Sequence, residues 1–231
     1  MINYFKKNKG MIILSSLITL TPMIAGVILW DKLPDMIATH WNVAGEVDGW
    51  MPKAMFVFGF PLIMVALTIV GSFATASDPK NANHDKKPLM LLYAIIPALT
   101  IVLSAFTYCS ALGVEVSVMN LGVAVVGSLL VFVGNYLPKC KPNYTIGIKI
   151  MWTLNSDKNW VATHRFASKI WVAGGILVML SALLPASVVP WVVFAVLAAT
   201  AIAPMIYSFV YFKNHQSDAD YLEKREENEE D

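Results

Sequence analysis

Uncharged, mainly apolar stretches of about 20 residues recur along this chain, and the charged residues gather in the gaps between them. Six such runs cover residues 11 to 30, 54 to 76, 89 to 112, 118 to 137, 170 to 188 and 190 to 212. At about 1.5 Å per helical residue each run spans a hydrocarbon core of about 30 Å, so each predicts a transmembrane helix. The last two are divided only around Pro185 and Pro190. One helix through both would far exceed the membrane, so a tight helical hairpin is predicted there. The first run is full length, holds Pro22 and ends in Trp30-Asp31 with no small-residue cleavage site, so it reads as a retained helix and not a signal peptide.

Orientation follows from the cations. With the N-terminus inside, 15 of the 17 Lys and Arg residues fall on the cytoplasmic side, and only Lys32 and Lys53 fall outside. The fold class predicted is therefore all-α, a polytopic integral membrane protein of six transmembrane helices with both termini cytoplasmic. Its place is a membrane, with membrane lipids as its immediate partners. Composition agrees, since 57% of the chain is hydrophobic and only 14% charged, against about 25% charged in soluble domains. The net charge of +1 hides an asymmetry, because half of the 16 acidic residues lie in the last 19 positions. No basic patch of the kind that binds nucleic acid is present. Cys109 and Cys140 fall near opposite membrane faces in this topology, which argues against a disulfide between them.

Within the runs, Pro22, Pro61, Pro97 and Pro204 read as kinks whose freed carbonyls neighbouring groups satisfy. The fourth and fifth runs lack interior prolines and carry small residues instead, among them Gly122, Gly127, Gly134, Gly174 and Gly175, which predicts that these two pack closely. No Asp, Glu, Lys or Arg lies centrally in any run, which weakens an ion-coupled transporter reading. A flippase or uncoupled pathway lined by Thr19, Thr21, Thr68, Thr100 or Asn120 stays open beside the plainer reading of those groups as hydrogen bonds between helices. No protease, hydrolase or phosphate-loop motif appears, so neither an enzyme nor a cofactor is predicted. His40, Glu46 and Asp48 share one loop without metal-ligand spacing, and no metal site is assigned.

Two loops hold the remaining information. The first, residues 31 to 53, is turn-rich: Gly45 and Gly49 suit positive φ, and Asn42 and Asp48 suit bonding to their own backbone. Trp30, Trp41 and Trp50 suit the headgroup layer. Leu33, Pro34, Ile37, His40, Gly45, Asp48, Trp50 and Lys53 fill a pattern that resembles a small domain of unknown function often found ahead of the SdpI family. As an outward-facing receptor surface, the loop offers His40, Asn42, Gly45, Asp48, Trp50 and Lys53 as candidate ligand contacts.

The second loop, residues 138 to 169, is denser in motif. It follows Gly134-Asn135 and contains Pro138-Lys139, Asn143 through Lys149, Trp152-Thr153-Leu154, and Trp160 through Arg165. Asn155 or Ser156 is placed to cap a helix that sets Trp160 and His164 four residues apart on one face, lying at the interface before the fifth span. Lys139, Lys141, Lys149 and Arg165 form a basic rim, as the positive-inside rule requires by itself. These blocks resemble the signature of the SdpI family of bacterial membrane immunity proteins. Two positions depart from it: Lys149 replaces an arginine and so lacks the bidentate fork, and Met151 stands where a proline commonly precedes the tryptophan.

The resemblance implies a division into residues 1–88, a helical hairpin with the outer loop; 89–213, a four-helix membrane region with the inner loop; and 214–231, an acidic cytoplasmic tail. It implies an immunity or resistance protein that neutralises a secreted peptide toxin or antimicrobial peptide at the outer loop. It also implies signalling, in which a cytoplasmic repressor protein is held at the inner loop. Asn135, Pro138, Lys139, Asn143, Gly147, Lys149, Trp152, Thr153, Trp160, Thr163, His164 and Arg165 are the family-motif and candidate partner-binding residues there.

Overall fold

The computed structural model describes residues 1–42, 44–80 and 86–215; most of the acidic tail, 216–231, lies outside the described residues. Among the described residues seven α-helices occur: α1 Ile2–Ile28, α2 Phe60–Ala76, α3 Lys86–Ala111, α4 Val118–Tyr136, α5 Met151–Leu154, α6 Asp157–Leu180 and α7 Val189–His215. Six helical segments are long and apolar enough to cross a membrane, and they coincide with the six apolar runs. Two begin earlier than the runs do. α1 starts at Ile2, with Tyr4 and Asn8 turned inward and Lys6, Lys7 and Lys9 exposed. α6 starts at Asp157, so the predicted interfacial helix is the opening of the fifth span and not a separate element. Ser156 caps it by accepting the Asn159 N–H, and nothing from 157 to 180 breaks it.

The segment predicted as a turn-rich loop is a β-hairpin, among the described residues the one addition to the all-α class. β1 (Met36–Trp41) pairs antiparallel with β2 (Val47–Pro52). A π-helical turn, Met55–Gly59, then leads into α2.

The chain forms two compact units, Met1–Ser77 with Met90–Leu121, and Asp78–Leu89 with the chain from Gly122 onward. They cut the chain elsewhere than the 88/89 boundary, because α3 packs on α1 and α2. In the first unit, Tyr93 of α3 hydrogen-bonds Tyr4 (2.9 Å) and Ser72 (3.0 Å), and the Tyr108 hydroxyl donates to the Pro22 carbonyl. The inward faces are polar, with Ser15, Thr19, Thr68, Ser72, Thr100 and Ser104 buried, while Leu17, Ile24, Leu62 and Val70 are exposed. That inversion is what lipid as solvent permits. Thr19, Thr68 and Thr100 each donate to a carbonyl four residues back in their own helix, so the hydrogen bonds predicted between helices are instead back-bonds within them. Thr21 and Asn120 are exposed, and the Thr21 hydroxyl donates to the Ile18 carbonyl that Pro22 leaves without a helical partner.

In the second unit α4 and α6 meet where their glycines stand. A side-chain carbon on Gly127 would lie 2.7 Å from the Gly175 carbonyl oxygen, and one on Gly175 would lie 2.5 Å from the Gly127 oxygen. Gly174 instead faces Val196 and Thr200 of α7, and Gly122 meets nothing close. Pro204 frees the Thr200 carbonyl, which the Trp171 indole satisfies at 3.0 Å. Pro61 lies inside the second span, because the π-helical turn Met55–Gly59 runs without a break into α2.

Candidate functional site

The hairpin is built outward from its apolar contacts. Leu33 and Ile37 are buried against Phe56, Val57 and Tyr108, which anchors the base of β1 to the helices of its unit. Lys53 secures the other end. Its ammonium donates to the Trp30 and Leu33 carbonyls just past α1, pairs with Asp35 at 3.1 Å and lies over the Trp30 ring. Asn42 makes the turn: its side-chain oxygen accepts from the Ala44 and Glu46 N–H groups, and its amide donates to the Glu46 carboxylate. Gly45 completes it at φ 83°. Gly49 does not adopt positive φ; it lies opposite His40, where a side-chain carbon would come within 2.8 Å of the His40 Cβ.

Bulges around His40 bring it beside Asp48. His40 Nδ1 and Asp48 Oδ1 are 2.5 Å apart, and the two side chains are 72% and 44% exposed. Asp48 thus pairs with the histidine and not with its own backbone. An exposed pair of this kind contributes about 0–1 kcal/mol, so it adds little to holding the hairpin together. Trp50 is 57% exposed, whereas Trp41 packs on Phe106. Of the six candidate contacts, Asn42, Gly45 and Lys53 shape the hairpin, and His40, Asp48 and Trp50 present their side chains to the surroundings.

The second loop is organised the other way. Trp160 and His164, one helical turn apart on α6, stack at 4.2 Å and are buried. The Trp160 indole donates to the Cys140 carbonyl. His164 Nε2 accepts the Ile148 N–H at 3.0 Å, which leaves Nδ1 to donate to the Trp160 carbonyl at 2.8 Å. Both ring nitrogens are therefore used, and the neutral tautomer is set. Gly147, at φ 130°, lies on this stack, where a side-chain carbon would come within 2.6 Å of His164 Nε2.

Asn143 is buried and ties the loop to itself: its amide donates to the Lys141 and Ile146 carbonyls, and its oxygen accepts from the Thr145 and Ile146 N–H groups. The Thr153 hydroxyl accepts the Ile150 N–H and donates to the Ile148 carbonyl. Thr163 donates to Asn159, and Trp152 packs on Phe209. Lys149 donates to the Tyr144 and Thr145 carbonyls, two bonds that a lysine makes without the arginine fork. Exposed Met151 opens α5, so its departure from proline falls at a first-turn position where either residue fits. Asn135, Pro138, Lys139 and Arg165 are exposed, with the Lys139 ammonium over the Tyr136 ring. Cys109 and Cys140 are not joined by a disulfide.

Two residues that the motif reading passed over hold this loop. Asp78, buried just after α2, accepts from the Tyr144 N–H, the Thr145 hydroxyl (2.6 Å) and the Lys80 N–H. Asn159, also buried, donates to the Ser208 carbonyl and accepts from the Ser208 and Thr163 hydroxyls, joining α6 to α7. The only signals in the sequence were an acid in a Ser-Asp-Pro turn and a polar pair four residues apart beside Trp160 and His164.

The two surfaces coincide with two regions of similarity to known proteins. Residues 17–65 match a domain of unknown function (DUF1648), which takes in the whole hairpin. Residues 139–208 match the SdpI/YfhL protein family, from Lys139 through the Ser208 that Asn159 grips. Asn135 and Pro138 stand just ahead of that region. The chain is 24% identical over 209 residues to Immunity protein SdpI of Bacillus subtilis (strain 168), an alignment covering 90% of this chain and 97% of that protein. No solved structure matches it. This multi-pass bacterial membrane protein thus carries a region that matches the SdpI/YfhL family behind a region that matches DUF1648.

Proposed function

We propose that the protein is a membrane immunity or resistance protein that neutralises a secreted, membrane-active toxin or antimicrobial peptide, received at the hairpin. The likeness to Immunity protein SdpI along 90% of the chain carries this reading. The hairpin supports it, because His40, Asp48 and Trp50 are held in fixed relation yet face outward, as recognition requires. The distribution of Lys and Arg favours a topology with both termini in the cytoplasm, the hairpin outside and the signature loop inside.

In that topology the exposed Lys139 and Lys141 offer a cytoplasmic repressor protein a cationic dock. Deleting residues 214 to 231 separates this dock from the acidic tail: repressor recruitment survives the deletion if the loop is the dock and fails if the tail is.

Expression in a sensitive bacterium tests the main reading. The wild-type protein raises the inhibitory concentration of at least one peptide in a broad membrane-active panel. His40→Ala, Asp48→Asn and Trp50→Ala lower it again at equal membrane abundance. Absence of protection against every peptide in the panel counts against the immunity role.

A further inference from the structure

We infer that a groove between the first turns of α6 and the last turns of α7 binds the headgroup of an anionic phospholipid. Asp157, Lys158, Val161, Ala162 and Arg165 of α6 and Tyr211 of α7 line it. Positions 158, 161, 162 and 165 follow the i, i+3, i+4, i+7 spacing, so one helical face carries two cations around an apolar floor. Lys158, Val161 and Arg165 are exposed.

Among the described residues, neither Lys158 nor Arg165 makes a hydrogen bond or ion pair. Arg165 closes a signature block whose other members, Trp160, Thr163 and His164, are buried and engaged in the fold, which leaves its guanidinium as the free head of that block. A planar guanidinium suits two phosphate oxygens at once, and the Lys158 ammonium adds a point charge. Asp157 opposes them with one negative charge. The lining therefore sums to +1 from two cations and one anion, which matches a phosphodiester carrying a single negative charge.

The position also fits a lipid. The groove lies where α6 begins and α7 nears its end, at the boundary of both spans. Tyr211 has the apolar ring and polar tip that favour headgroup depth. One turn further into the spans from Ala162 and Tyr211, beyond the lining residues, the Phe166 and Tyr207 rings stack at 4.4 Å and offer an apolar surface for the start of an acyl chain. A soluble anion would have no use for that surface.

Native mass spectrometry of the purified full-length protein tests this, after exposure to equal amounts of phosphatidylglycerol and phosphatidylcholine. The wild type retains phosphatidylglycerol preferentially. Lys158→Gln and Arg165→Gln each reduce that preference about fivefold, as expected for one cation near a lipid surface, and the double variant abolishes it. Arg165→Lys keeps part of the preference, which separates loss of charge from loss of fold. Lys141→Gln, which removes an exposed charge outside the groove, leaves it intact. An unchanged preference in the double variant, or an equal loss with Lys141→Gln, refutes the site. Displacement of the retained lipid by millimolar inorganic phosphate would make it a site for free anions and overturn the lipid assignment.

Discussion

In the hairpin, the motif residues that hold the backbone are Leu33, Ile37, Gly45 and Lys53, while those with distinctive chemistry, His40, Asp48 and Trp50, stand exposed. In the signature loop the polar and aromatic motif residues Asn143, Thr153, Trp160, Thr163 and His164 are themselves buried, and chiefly the cations and Asn135 remain outside. Two equally motif-rich segments thus divide their residues differently between folding and contact. The reason is physical. The hairpin borrows an apolar base from neighbouring helices, so its polar residues are free. The signature loop, from 140 to 150, has no regular secondary structure, so its backbone groups must be satisfied by side chains.

That difference is easiest to break at Asn143, which makes four hydrogen bonds within the loop. Asn143→Ala strands buried backbone groups and is expected to cost about 3 kcal/mol. For a chain of this size that lowers the melting temperature in detergent by roughly 6–12 °C. A shift within error would mean that the loop is not held by its own side chains.

Next in size is a contrast between two glycines that both adopt positive φ. At Gly147 a side-chain carbon meets His164 and Trp160, whereas at Gly45 it meets nothing within 4 Å. Gly147→Ala should therefore cost about 2 kcal/mol, and Gly45→Ala only about 1 kcal/mol from the backbone. Equal losses in thermal denaturation would show that packing on the Trp160–His164 stack adds nothing. The smallest effect on stability is expected at His40. His40→Ala removes an exposed pair and should change stability by less than about 0.5 kcal/mol, while protection against the cognate peptide falls. A large loss of stability would move His40 from the contact set to the folding set.

The membrane helices were legible because span length and the exclusion of charge are properties of a run, visible without knowing its neighbours. The close approach of α4 and α6 was legible for a similar reason, since Gly127 and Gly175 have few other uses in a span. The hairpin was not, although Asn42 and Gly45 read correctly as turn residues. Its strands depend on packing against Phe56 and Val57 of the turn that follows and against Tyr108, far along the chain in α3, and its bulges defeat simple alternation. Asp78 and Asn159 were missed because a single buried polar residue has no pattern; its role appears only when the donors around it, from the second loop and from α7, come together.

The proposed immunity role requires the hairpin and the signature loop to face opposite sides of the membrane. Cysteine labelling in intact cells measures this directly. In a background with Cys109 and Cys140 replaced by serine, Glu46→Cys should react with a membrane-impermeant maleimide, and Lys141→Cys should react only after the membrane is opened. Labelling of Lys141→Cys in intact cells would place the motif-dense loop outside and contradict both the topology and the receiving role assigned to His40, Asp48 and Trp50.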